Sequence, residues 1–255
     1  MKSLYIKELN KSFVLLNKSG SLLLLNTLMD FSKYKGYHVT EQVNVDSEVF
    51  IFVRNPIERV KTCFTWFLSP EGKRDNQNYE DLCLKIFSEN STEITVTLDN
   101  FIKFVDNQDE MYNLNNSHFL PQKVDLLNNK IVNSLTDDIV KVNYPNHHFV
   151  QIEKFGDLII NSINHENDDL LMNYGDKKTN HKVIIDYFLL NTFNSDDLLL
   201  FSALFLYNKK VLDSNHHTNK MIDLPKNIES KLYFLLQDEY DLYDYEKKGH
   251  FKRLV

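Results

Sequence analysis

The sequence predicts an α/β chain with a central parallel sheet and helices on both of its sides. Three observations predict it. Short apolar, β-prone runs from Phe13 to Leu16, Val49 to Val53 and His148 to Ile152 read as buried strands. Helical patterns follow them: a leucine-rich stretch from Ser21 to Phe31, a helix opening at Pro56, and a helix from Asp157 to Ile163. Strand and helix alternate in chain order, the arrangement that builds parallel sheets through helical crossovers.

The elements follow in order. Tyr37 to Val43 alternates and reads as a further strand. From Pro56, steps of 100° place Ile57, Val60, Phe64 and Phe67 on one apolar stripe and Asn55, Arg59, Thr62 and Trp66 opposite it. That helix is expected to end near Ser69-Pro70-Glu71-Gly72, with a polar loop to about Tyr79. Asp99 to Val105 carries helical spacing, and the Asn-rich stretch up to Ser117 reads as a loop. Leu198 to Val211 is a core helix. The last helix, from about Asn227 to Tyr240, places Ile228, Leu232 and Leu235 on one face. No repeat, long linker or domain boundary is visible, so the expectation is a single domain over 1–255.

Bulk properties exclude several classes. A chain of 255 residues can bury a sizeable core, and 42% hydrophobic with 25% charged residues is ordinary for a globular protein. A formal charge of −7 argues against a general nucleic-acid binder, so a polyanion needs a local basic pocket. Cys63 and Cys83 stand alone, without metal-ligand spacing, and read as two thiols in a reducing compartment. The first eight residues lack the apolar core of a signal peptide, and Leu198 to Tyr207 is too short to span a bilayer. The expectation is a cytoplasmic protein with no membrane partner.

Two segments carry chemistry. Val53 delivers Arg54 into a helix whose first-turn residue is Pro56, where fixed φ and a missing N–H are tolerated. Arg54 at a helix start, with Arg59 and Thr62 beyond it, suits a phosphate. The strand at Phe13 runs into Asn17-Lys18-Ser19-Gly20-Ser21 before the next helix. Glycine in such a turn lets backbone N–H groups converge, and Lys18 adds a point charge. The spacing is not that of a Walker loop, and Lys-Ser-Gly-Ser alone is more often a plain surface turn. Pairing with Arg54 raises it, because both segments lie at strand C-terminal ends, where open α/β sheets bind ligands.

Together the segments resemble sulfotransferases that use 3′-phosphoadenosine 5′-phosphosulfate (PAPS), especially the branch with many carbohydrate sulfotransferases. That family has Lys-x-Gly-x-Thr for the 5′-phosphosulfate and Arg-Asp-Pro-x-x-Arg-x-x-Ser for the 3′-phosphate. Here Lys18-Ser19-Gly20-Ser21 and the segment from Arg54 to Thr62 stand in those places. Downstream, Leu98 to Val105, His118-Phe119-Leu120-Pro121-Gln122, Phe149 to Phe155, and His217-Thr218-Asn219-Lys220 resemble later family segments in the same order. The acidic, aromatic ending around Tyr233, Glu239-Tyr240 and Tyr243 to Tyr245 is also similar. The resemblance covers most of the chain, with an insertion near 165–213.

The resemblance implies a P-loop-like three-layer fold with a central parallel sheet flanked by helices. It implies transfer of a sulfonate from PAPS to an acceptor hydroxyl on a carbohydrate, leaving adenosine 3′,5′-bisphosphate, with no metal. Lys18, Ser19, Gly20, Ser21 and Leu22 would line the 5′ side, and Arg54, Arg59 and Thr62 the 3′ side. Asn219 and Lys220 would reach back to the nucleotide. Lys18 would stabilise charge on the moving sulfonate and His118 would take the acceptor's proton. The chain departs from the pattern at Leu22, where the family has a hydroxyl residue, at Asn17 for Pro, and at Asn55 for Asp.

Plainer readings stand beside these. His118 is one of nine histidines and can be a solvated loop residue, with Glu153 or another carboxylate as base. Arg59 can be structural. His216-His217 reads as a loop, and Lys177-Lys178-Thr179-Asn180 is a rival basic loop. Phe64, Trp66 and Phe67 read as core packing. Two other functions remain: a nucleotide kinase, for which no Gly-Lys-Ser/Thr loop is present, and a non-catalytic nucleotide- or partner-binding homologue, which Leu22 favours.

Overall fold

Five strands pair in the order β3-β1-β2-β4-β5. They are β1 (Lys2–Ile6), β2 (Lys11–Leu15), β3 (Val39–Thr40), β4 (Glu48–Val53) and β5 (His147–Gln151). The computed structural model describes residues 2–75, 78–92, 94–107, 122, 126–127, 137–156, 159, 192–215 and 223–245. Among them the chain gathers into two compact units, residues 1–54 with 133–217, and residues 55–132 with 218–255.

The first unit holds the sheet. β2 pairs in parallel with β4, and β4 with β5, as their apolar runs predict. The sheet is nevertheless mixed rather than parallel. β1 lies antiparallel to β2, with Leu4 opposite Phe13 and Ile6 opposite Lys11. A single 3-10 turn at Lys7–Leu9 joins them, closed by Asn10 at φ 50. Parallel neighbours need a crossover of a dozen residues or more, so this short connection admits only the antiparallel partner. β3 is antiparallel to β1 in turn, so β1 alone runs against the other four. Only Val39–Thr40 of the expected Tyr37 to Val43 strand is paired.

Burial explains the order. Phe13 to Leu16 and Val49 to Val53 are inaccessible on both faces, which suits central strands. One face carries Phe13, Leu15, Phe50, Phe52 and Val150 into a core with helix α1 (Ser21–Lys35) and the helix Ser195–Asn215. That second helix falls in the segment expected as an insertion, yet its Phe201 and Phe205 are core residues. Lys35 Nζ lies 2.6 Å from Asp197, and Asn208 donates to Asp30 at 3.0 Å, so polar contacts also bind it to α1. The remaining expected insertion up to residue 191, and most of the helix expected from Asp157 to Ile163, lie outside the described residues.

The second unit is helical among its described residues. It contains α2 (Pro56–Phe67), α3 (Pro70–Asp75), α4 (Tyr79–Phe87), α5 (Leu98–Asp106), then Lys226–Leu235 and Gln237–Leu242. Ile57, Val60, Phe64 and Phe67 of α2 are buried as the stripe predicts. Phe64 meets Phe101 and Phe104 of α5 edge-on, with centroids 5.4 and 5.3 Å apart. Thr97 caps α5 by accepting from Asn100 N. The polar segment expected as a loop after Gly72 begins instead inside α3, because Pro70 opens a new helical turn. The expected final helix breaks at Leu236, and Leu235, expected inward, is exposed while Leu236 is buried.

Cys63 and Cys83 are buried and form no disulfide. Burial pushes the Cys83 thiol up to about 11, which keeps it protonated and inert. No helix among the described residues is long and apolar enough to cross a membrane.

Candidate functional site

The turn after β2 is the unusual piece of backbone. Lys18 sits at φ 61 and Gly20 at φ 69, so two left-handed residues flank Ser19 between the strand and α1. For a lysine this conformation costs about 1–3 kcal/mol, held in place by surrounding structure. Ser19 N donates to Leu16 O at 3.2 Å, and Ser19 is fully buried. Gly20 is the cap residue of α1. It brings no side-chain oxygen to the first N–H groups of the helix, which have no acceptor within the helix itself. Gly20 itself therefore adds no cap to the positive end of this 15-residue helix.

Arg54 leaves the end of β4 and turns to this turn. Its Nη1 donates to Lys18 O at 3.3 Å. The end of β5 arrives at the same place: a Cβ on Gly20 would lie 3.0 Å from Ile152 Cγ1. The next residue, Glu153, puts a carboxylate oxygen 4.0 Å from Arg54 Nε. Three parallel strands therefore deliver Lys18, Arg54 and Glu153 to one end of the sheet. Glycine is favoured at position 20 by its positive φ and by the approach of Ile152. Gly20→Ala is expected to lower stability by about 1–2 kcal/mol, read as a lower urea midpoint at unchanged m-value. An unaltered midpoint would show that the turn relaxes freely.

The other helix start differs. Asn55 Oδ1 accepts from both Ile57 N (3.1 Å) and Glu58 N (3.2 Å), so α2 is capped by its own chain. The hydroxyl of Tyr240 also donates to Asn55 Oδ1 at 3.1 Å. Burial holds that phenol up at about 12, so it stays a donor. The positive end of α2 is engaged by Asn55, whereas that of α1 meets no side-chain cap from Gly20.

The remaining expected site residues have different surroundings. Arg59 is only 2% exposed, buried in the second unit. Thr62 donates its hydroxyl to Glu58 O at 2.9 Å, back along its own helix. Trp66 packs against the core of that unit. Ser21 is half-buried and Leu22 is 45% exposed in the first turn of α1. His118, Asn219 and Lys220 lie outside the described residues, as do His216-His217 and the basic loop from Lys177. Sequence reasoning missed the capping role of Asn55 and the arrival of Ile152. An Asn-Pro pair at a strand end was the available signal for the first; nothing local announces the second.

No family model matches the chain, and no curated protein or solved structure is similar to it.

Proposed function

We propose that this chain binds an adenosine nucleotide carrying both 3′- and 5′-phosphates, and that it is a sulfotransferase moving a sulfonate from PAPS to an acceptor hydroxyl, on a P-loop-like three-layer framework. The observation that carries the reading is the hydrogen bond from Arg54 to Lys18 O. It joins two segments, 36 residues apart, whose reading as a phosphate site depends on their being paired. The N-terminus of α1, to which Gly20 gives no side-chain cap, and the left-handed turn lie at the same end of the sheet and would supply backbone donors. The sequence resemblance supplies the chemistry, and a carbohydrate as acceptor class.

The residues divide the work. Lys18 holds a positive charge where the bond between sulfur and the bridging oxygen breaks, and the acceptor oxygen bonds to sulfur from the far side. Catalysis of this kind is positioning and electrostatics. The acceptor's proton goes to a base, for which the resemblance names His118. Arg54 fixes the 3′-phosphate. Arg54→Ala is expected to weaken adenosine 3′,5′-bisphosphate by about 10- to 100-fold, the worth of one or two charge-assisted hydrogen bonds, and AMP hardly at all. Calorimetric titration of both ligands checks it; equal losses would remove Arg54 from this role.

A second reading draws on Leu22, which offers no hydroxyl in the first turn of α1. Binding of the bisphosphate without transfer to any hydroxyl acceptor would favour a nucleotide-binding chain that does not turn over.

A further inference from the structure

Two oxygens of different kinds stand near Arg54 among the described residues. The carbonyl of Lys18 accepts from Nη1 at 3.3 Å, and the carboxylate of Glu153 stands 4.0 Å from Nε. Neither side chain is deeply buried: Arg54 is 29% and Glu153 41% exposed. At that exposure an ion pair is weak, worth about 0–1 kcal/mol, and is easily exchanged for a stronger one. A phosphate is such a replacement, because it carries more charge and offers the guanidinium paired oxygens.

Glu153 also stands where it can act on the ligand. It follows Ile152, whose side chain packs at Gly20, so β5 fixes the carboxylate at the rim of the turn. A carboxylate and a phosphate drawing on one guanidinium repel each other. Resting on the phosphate assignment of Arg54 above, we infer that Glu153 is the resident counter-ion of Arg54, a positioning residue that a bound 3′-phosphate displaces. It holds the guanidinium extended towards the Lys18 turn while no anion is bound. Its charge lowers affinity for any anion there, so only a ligand that engages Arg54 strongly gains entry. The pair thereby sets the threshold between a 3′-phosphate and a 3′-hydroxyl.

The test is titration of wild-type and Glu153→Gln chains with adenosine 3′,5′-bisphosphate and with AMP at one fixed salt concentration. Glutamine keeps the shape and removes the charge. The variant is expected to bind the bisphosphate about two- to fivefold more tightly, the range of an exposed ion pair, with AMP unchanged. Unchanged or weaker bisphosphate binding would overturn the counter-ion role, and so would equal tightening of both ligands, which is the mark of a general field. These outcomes leave the phosphate assignment standing as long as the wild type binds the bisphosphate. A wild type that binds neither ligand would remove that assignment and the counter-ion role together. Thermal melts of both chains confirm that the variant is folded.

Discussion

Arg59→Ala is expected to lower the stability of the folded chain by about 2–5 kcal/mol, the range for truncating a large, fully buried side chain. At 2% exposure the guanidinium is among the largest fully buried side chains of the protein. A buried arginine carries a large desolvation cost, and Nη2 of this one is buried without a hydrogen-bond partner among the described residues, so its surroundings are built around the side chain and not around solvent. Truncation removes the buried stem and opens a cavity among its neighbours along α2, where Val60 and Cys63 are also buried. Urea unfolding followed by circular dichroism measures the effect. A loss of this size assigns Arg59 to the framework, the structural role left open for it by the sequence. An unchanged midpoint combined with lost bisphosphate binding would instead make it the ligand contact implied by the resemblance.

Lys18→Ala is expected to reduce sulfonate transfer by about 10²–10³-fold, since a single preorganised charge or donor at a reacting group is worth about 2.7–4 kcal/mol. Binding of the bisphosphate should fall much less, because on the proposed assignment Lys18 serves the sulfonate, which the product lacks. Alanine leaves the left-handed backbone strain of this position in place, so Lys18→Gly is the useful companion. Glycine removes the same charge and relieves the strain. Equal loss of turnover in the two variants ties the effect to the ammonium group. Recovery in Lys18→Gly alone would tie it to the backbone. Single-turnover assays with PAPS and a panel of hydroxyl acceptors provide the readout.

Much of the sheet was legible because its signal is local. Phe13 to Leu16 and Val49 to Val53 are continuous apolar runs, and runs of that kind are strands buried on both faces. The stripe of α2 was equally plain, since Ile57, Val60, Phe64 and Phe67 repeat at helical spacing. β1 was harder to see. Only Leu4 and Ile6 of its five residues are deeply buried, an alternation too short to stand out, and its antiparallel pairing is decided by the Lys7–Asn10 turn. The burial of Arg59 was not legible, because its place opposite the apolar stripe says nothing of what packs against that face.

The candidate site was half legible. Lys18, Gly20 and Arg54 were recognisable as residue types at strand ends, and the structure brings all three to one end of the sheet. Glu153 became informative only through its distance from Arg54, and strand order fixes that distance, not sequence spacing. Asn55 was read as a replacement for an acid; its amide oxygen is the cap of α2. Capping by Asn or Asp uses the same oxygen, so the exchange leaves the helix start intact.

Calorimetric titration with adenosine 3′,5′-bisphosphate, run beside AMP and ATP without added metal, decides whether the Lys18 and Arg54 segments form a nucleotide site. Selective binding of the bisphosphate is expected, with AMP weaker by the contribution proposed for Arg54 at the 3′-phosphate. Absence of bisphosphate binding, or a preference for ATP that appears only with Mg²⁺, would contradict this expectation.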